Sequence, residues 1–214
     1  MKKIYCAGPL FNIKEKEEMQ EIAATLEENN FNVFLPQRDG FEFSNLSKEF
    51  KELGIPEEDV NIILNKAIFV LDVFQILDSD GLVLNINGRV PDEGAMVEAG
   101  IAWNSGKKIV IYKSDTRTLI NGNDNPLILG LSNFITVNEI SKIPKVFDKL
   151  FFKECSIKSS IIDNSNSRIV YDKGSEISSL VKNIQERRKL CSKLIEILGE
   201  ELQRELEEKN AHSI

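Results

Sequence analysis

The chain of 214 residues suits one medium domain plus an appendage rather than two full domains, and 42% hydrophobic residues are enough for a real core. A formal net charge of −7 with a pI near 5.0 argues against a nucleic-acid polymer as partner, which would need clustered Lys and Arg, and fits small-molecule chemistry better. Cys6, Cys155 and Cys191 are widely spaced without a CxxC, so neither a disulfide framework nor a zinc site is indicated; the lone histidine, His212, near the end of the sequence, leaves no internal His for triad, HExxH or phosphohistidine mechanisms.

Met1 to Phe11 looks superficially like a signal peptide, but its apolar run is short, holds Gly8-Pro9 and ends in the charged Lys14–Glu18. We read Ile4–Ala7 as a buried first strand that Gly8-Pro9 ends. From about Lys14 to Asn29, Met19, Ile22, Ala23 and Leu26 recur at helical spacing, and Asn29-Asn30 supplies a stop. Phe31–Leu35 is a second strand closed by Pro36, and strand, helix, strand in that order predicts a parallel crossover and an α/β sheet. Gln37–Gly54, polar with scattered Phe41, Phe43 and Phe50, reads as a long loop of the kind that covers sites.

Pro56-Glu57-Glu58-Asp59 opens a helix that runs to about Leu77. Asp72 interrupts the longest apolar stretch, Ala67–Leu77, so no membrane-spanning helix is expected; the protein should be soluble, with a reducing cytoplasm as the default location. Gly81–Ile86 is a third strand, Gly94–Asn104 a helix stopped by Gly106, and Lys108–Tyr112 a fourth strand. Asn121–Pro126 is a loop, Phe134–Val137 a short fifth strand and Ile140–Phe151 a helix. Beyond Phe152 the composition changes: Ser156–Ser167 is a Ser/Asn-rich connection, and Ser175 to about Lys209 a long charged helix whose stripe, Ile177, Leu180, Ile184, Cys191, Leu194 and Leu198, Arg187 interrupts. The expected organisation is an α/β domain over residues 1–152 and a helical appendage over 153–214, packed on the domain or on a neighbouring subunit.

The most informative stretch is Val90 to Gly100, where a strand gives way to a helix of small residues carrying Glu98. An acid beside Gly94, Ala95, Ala99 and Gly100 reads either as a working group approached closely by a ligand or as an ordinary first-turn glutamate favoured by the helix dipole. Asp92, two residues before Gly94, is placed to cap that helix. There is no GxxxxGK[ST] loop and no GxGxxG after a strand, which leaves carboxylate chemistry.

Taken together, Lys3-Ile4-Tyr5-Cys6-Ala7-Gly8-Pro9-Leu10-Phe11, Asp80-Gly81-Leu82-Val83-Leu84 and Pro91-Asp92-Glu93-Gly94-Ala95-Met96-Val97-Glu98-Ala99-Gly100-Ile101-Ala102 resemble the nucleoside 2-deoxyribosyltransferase family over about residues 2–150. The resemblance implies a flavodoxin-like, doubly wound, mostly parallel five-stranded sheet with its site at the strand carboxyl ends, the C-terminal helical extension lying outside the match. It implies that Glu98 attacks the anomeric carbon of a 2′-deoxyribonucleoside to form a covalent deoxyribosyl-enzyme, with retention, no metal and no cofactor. Asp92 would bind the sugar and orient the nucleophile. Asp72, eight residues before Asp80, would exchange the proton of the base if burial raises its pKa; a solvent-facing turn is its plainer reading. Tyr5, Gly8 and Gly94 would line the pocket, and Gln37, Arg38 and Asp39 would meet the base edge, although a surface turn accounts for those three equally well. Asn125-Pro126-Leu127 resembles an Asn-x-Met segment that reaches a neighbouring subunit's site, with Leu127 where methionine is usual, and implies a homo-oligomer built from dimers, up to a hexamer.

The same superfamily holds N-glycosidases that hydrolyse deoxynucleoside 5′-monophosphates. Asp92 and the apolar Gly8-Pro9-Leu10-Phe11 loop argue against a phosphate dianion and for a free nucleoside with a free nucleobase as acceptor. A non-catalytic nucleoside sensor is the reading from another class.

Overall fold

The computed structural model describes residues 1–41, 43–88, 90–117, 122–152, 165–183 and 187–198. Its packing divides the chain into two units, Met1–Asp39 with Gln75–Ser165, and Gly40–Phe74 with the chain from Asn166 onward.

The first unit is built on five parallel strands, β1 (Lys3–Ala7), β2 (Asn32–Phe34), β3 (Gly81–Asn85), β4 (Lys108–Tyr112) and β5 (Thr136–Val137), in the order β2-β1-β3-β4-β5. This is the doubly wound order of the expected fold, and it reverses direction between β1 and β3. Side chains alternate across the sheet. Ile4, Cys6, Val83, Val110 and Tyr112 form one face, with Met19, Ile22, Ala23 and Leu26 of α1 (Ile13–Glu28) packed on it. The other set, Tyr5, Ala7, Leu82, Leu84, Ile109 and Ile111, is equally buried and lies on the side of the sheet that α5 (Glu93–Asn104) covers.

Local chemistry sets the helix ends. Asn12 accepts from the Glu15 amide and Glu15 returns a bond to the Asn12 amide, a capping box that starts α1. At the other end Asn30 takes φ +64°, and the Asn30 and Phe31 amides donate to Glu27 and Leu26. Gly106 at φ +70° closes α5 in the same way, as its sequence position predicts.

Several expectations are corrected. Gln37–Gly54 is mostly helical, as α2 (Pro36–Asp39) and α3 (Phe43–Glu52), because Leu46 and Phe50 lie one turn apart and are buried on one face. The fifth strand is confined to Thr136–Val137, since Asn133 and Phe134 take left-handed backbone at φ +52° and +62°. Between α6 (Pro126–Gly130) and the C-terminal helices, Ile140–Lys142 is a 3-10 turn leading into α7 (Ile143–Phe152). Part of the expected Ser/Asn-rich connection is helix, because α8 spans Ser165–Asn183; the remainder of that connection, with Cys155, and the end of the expected helix beyond 198 lie outside the described residues.

The second unit is helical. Residues 187–198 are again helical, and Ile177, Cys191, Leu194 and Leu198 of the expected stripe are buried. Tyr171 packs on Phe74 with ring centroids 5.1 Å apart, and the Cys191 thiol points at the Leu46 carbonyl, Sγ to O 3.9 Å. Gly174 is the closest approach: a Cβ there would stand 2.2 Å from the Phe74 Cβ and 2.6 Å from the Val70 carbonyl oxygen of α4 (Glu57–Asp78). Contrary to expectation, α4 is long and apolar enough to cross a membrane by length and composition; 56% of its most apolar window is buried inside the structure, the behaviour of a core helix.

Candidate active site

Strand alternation sends Tyr5 toward α5. Its ring is fully buried and stacked on Phe34 at 5.5 Å, and its hydroxyl donates to Glu98 Oε1 at 2.6 Å. Ala95, Ala99 and Ala102 seat α5 on the sheet, since side chains this small let the helix lie close enough for the half-buried Glu98 to meet a strand residue. The first-turn acid of α5 is Glu93, so the dipole explanation of Glu98 fails; Glu98 stands in the second turn, hydrogen-bonded by a buried phenol.

Asp92 is the N-cap of α5, its Oδ1 accepting from the Ala95 amide at 2.6 Å, which fixes the helix that carries Glu98. Gly94 lies beside that cap, 3.2 Å from Asp92 Oδ1 to an added Cβ. Gly8 follows β1 at the carboxyl edge of the sheet, and a Cβ there would come within 2.6 Å of Met19 Sδ and 2.8 Å of the Asn85 Cβ. Gly8 therefore packs closely under Met19 and Asn85 at the carboxyl ends of β1 and β3, where the strand order reverses, the place a doubly wound sheet offers to a ligand.

Gln37, Arg38 and Asp39 follow β2 at the same edge. Arg38 grips both Asp39 oxygens, at 2.8 and 2.9 Å, and pairs with Glu27 at 2.8 Å, while Asp39 Oδ2 accepts from the Leu35 amide. Those groups hold the turn to itself and to α1. Gln37 donates to the Lys16 carbonyl at 2.9 Å, and its Oε1 is buried without a hydrogen-bond partner among the described residues, an acceptor open to a donor. Asn125 caps α6 by accepting from the Leu127 amide at 3.0 Å, and leaves Leu127 82% exposed. Asp72 belongs to α4 in the second unit; it is partly buried, and burial alone pushes its carboxyl up to about 7.

Sequence reading missed a polar cluster on the α1 side. Glu18 accepts from Asn85 Nδ2 at 2.8 Å, from Asn87 Nδ2 at 2.9 Å and from the Tyr112 hydroxyl at 3.3 Å. Burial raises the Tyr112 phenol above its ordinary pKa, which keeps the proton it donates. The signal was an amide, Asn85, in the otherwise apolar run Leu82–Ile86.

The sequence matches the model of the family described as nucleoside 2-deoxyribosyltransferase over residues 4–160, and no curated protein matches in sequence. Among solved structures the chain is similar to a conserved protein from Enterococcus faecalis V583, at 20% identity and TM-score 0.51, covering 70% of this chain and 99% of that one. It is also similar to a 2-deoxyribosyltransferase from Bacillus psychrosaccharolyticus, at 19% identity and TM-score 0.46 over 66% and 90% of the two chains. A CMP N-glycosidase from Clostridium botulinum is matched at 19% identity and TM-score 0.39 over 69% and 99%. With the family match running through β1, β3 and the whole of α5, the chain belongs to the nucleoside 2-deoxyribosyltransferase family.

Proposed function

We propose that this protein transfers 2-deoxyribose between nucleobases by double displacement, a reaction of nucleoside salvage in the cytoplasm. The observation that carries the reading is the buried Tyr5 phenol holding Glu98 on α5 beside the carboxyl edge of the sheet. A carboxylate nucleophile must be kept in one orientation, since reaction through an oxocarbenium-like transition state tolerates little misplacement. The Glu98 carboxylate forms a bond to the anomeric carbon as the N-glycosidic bond breaks, and the leaving base takes the bonding electrons and a proton. We assign that proton to Asp72, whose carboxyl is still partly protonated near neutral pH. An incoming base then attacks the same carbon, Glu98 leaves, and the base returns a proton to Asp72, so that two inversions give retention.

Two features favour a free nucleoside over a nucleotide. The Asp92 carboxylate at the start of α5 would repel a phosphate dianion, and Arg38 already pairs with Asp39 and Glu27. Asn125 with the exposed Leu127 is the segment we assign to a neighbouring subunit, in a dimer-based assembly.

The test is chromatography of deoxyinosine or deoxyuridine incubated with excess adenine, without adenine, and with Glu98→Ala. Deoxyadenosine formed only by the wild type supports base exchange. Free base released at one rate with or without adenine makes the protein an N-glycosidase, and unchanged nucleoside in every tube turns the reading toward a nucleotide substrate or a sensor.

A further inference from the structure

The cluster on the α1 side of the sheet has a geometry the reaction above does not use. Asn85 ends β3 and is fully buried, and an amide in such a place is costly unless bonded. It is bonded at both ends: Nδ2 donates to Glu18 Oε2 at 2.8 Å and Oδ1 accepts from the Asn87 amide at 2.9 Å. Asn87 repeats the arrangement one step out. Its Nδ2 donates to Glu18 Oε1 at 2.9 Å and to Ser114 Oγ at 3.0 Å, and its Oδ1 accepts from the Ser114 and Asp115 amides at 2.9 and 3.0 Å. Gly88, at φ +115°, donates its amide to Asp115 Oδ2 at 3.3 Å.

With their polar atoms engaged in this way, the two asparagines act on neighbouring backbone rather than on a ligand. They tie the first half of the β3–α5 loop to α1 on one side and to the chain after β4 on the other. The second half of that loop ends at Asp92, the cap of the helix that carries Glu98. One carboxylate joins the parts, because Glu18 gives one oxygen to each asparagine. The residue after it, Met19, and Asn85 are the two groups that pack against Gly8, so the same contact also packs the chain that follows β1.

We propose that Glu18 is a positioning residue for the transfer reaction: through Asn85 and Asn87 it sets the β3–α5 loop, and with it Asp92 and the start of α5. This rests on the base exchange proposed above. Without the Glu18 carboxylate, Asn85 Nδ2 is left with the weak acceptor Met19 Sδ at 3.5 Å and Asn87 Nδ2 with Ser114 Oγ, so Asn87 loses its tie to α1.

The chemistry suggests a swap that separates positioning from general support. Glu18→Gln turns one oxygen into an NH2 group that faces another NH2 group on Asn85 or Asn87. Asn87→Asp places a carboxylate against Glu18. In the double variant Glu18→Gln/Asn87→Asp, the new amide donates to the new carboxylate and the pair is complementary again. The experiment measures kcat and KM for base exchange, together with amide hydrogen exchange at Asn87, Ser114 and Asp115. Each single variant should lower kcat on the order of 10- to 100-fold with a smaller change in KM. Exchange at the three amides should speed up about 10-fold or more, against unchanged exchange in Ile4–Ala7. The double variant should recover most of both. Unchanged exchange at those amides overturns the proposal, as does faster exchange with kcat intact, or a double variant no better than the singles. A wild type that exchanges no base overturns the proposed function instead, and the amide measurements then decide the positioning claim by themselves.

Discussion

Asp72 offers the sharpest quantitative test. Burial holds its carboxyl at about 7 in the folded protein against an ordinary 3.8, so the folded state binds this proton more tightly than the unfolded chain does. Stability is then greatest below the unfolded value, declines as pH rises between the two values, and levels off above the folded one. At about 1.4 kcal/mol per pH unit the whole window amounts to about 4 kcal/mol. Asp72→Asn removes the titration and keeps the shape. Urea unfolding followed by circular dichroism at pH 5 and pH 8 should therefore show the variant gaining on the wild type by about 2.5 kcal/mol between the two, because part of the window lies below pH 5. A gain that is the same at both pH values would show that the carboxyl titrates normally, and the burial argument would be wrong. The activity arm has its own sign: in the proposed first half-reaction Asp72 must be protonated, so wild-type kcat/KM for the donor nucleoside should fall as pH rises through about 7, and Asp72→Asn should lose that limb together with most of the rate.

Tyr5→Phe keeps the stacked ring and deletes one hydrogen bond to a carboxylate, worth about 1.5–3 kcal/mol, so the melting temperature should fall by about 3 °C or more and exchange should slow by roughly 10- to 100-fold in steady-state assays. Gly8→Ala would press a methyl group on Asn85 Cβ at 2.8 Å; Met19 can swing away but the strand residue cannot, and thermal unfolding should report a loss of about 1–3 kcal/mol. Gly174→Ala meets the Phe74 Cβ and the Val70 carbonyl of α4 at once, so it should loosen the second unit by a similar or larger amount, read as faster hydrogen exchange within 171–183 while β1 and β3 keep their protection.

The parts of the fold legible in the sequence were those whose cause is local. Periodicity located α1, α4, β1, β3 and β4, and Gly106 located the end of α5, because a repeat of apolar residues and a left-handed stop are both written in neighbouring positions. The capping box of Asn12 and Glu15 was equally local and was missed, since the apolar stripe begins later, at Met19. Gln37–Gly54 was misread because Leu46 and Phe50 make a helical face only when something packs against them. The joining of 40–74 with the C-terminal helices is a long-range pairing, and Gly174, which reads as a helix breaker in isolation, is the residue that permits close packing there.

The candidate site divides in the same way, by which face of the sheet a residue is on. Tyr5 and Asn85 both lie near strand carboxyl ends, yet alternation sends Tyr5 to the α5 face and Asn85 to the α1 face. A motif confined to the β3–α5 segment can register only one of these. The acid on α5, Glu98, stood out because Gly94–Trp103 around it is otherwise apolar; the acid on α1, Glu18, was hidden among Glu15, Glu17 and Glu21, where a charged helix surface is the ordinary expectation. Sequence cannot tell which of the six glutamates on α1 turns inward. The partner can, because a buried asparagine at the end of β3 requires an acceptor, and Glu18 is the acid of α1 that meets it, Glu15 being engaged in the cap at the start of the helix. An unmatched buried amide is thus a stronger pointer to a hidden positioning residue than any feature of the acid itself.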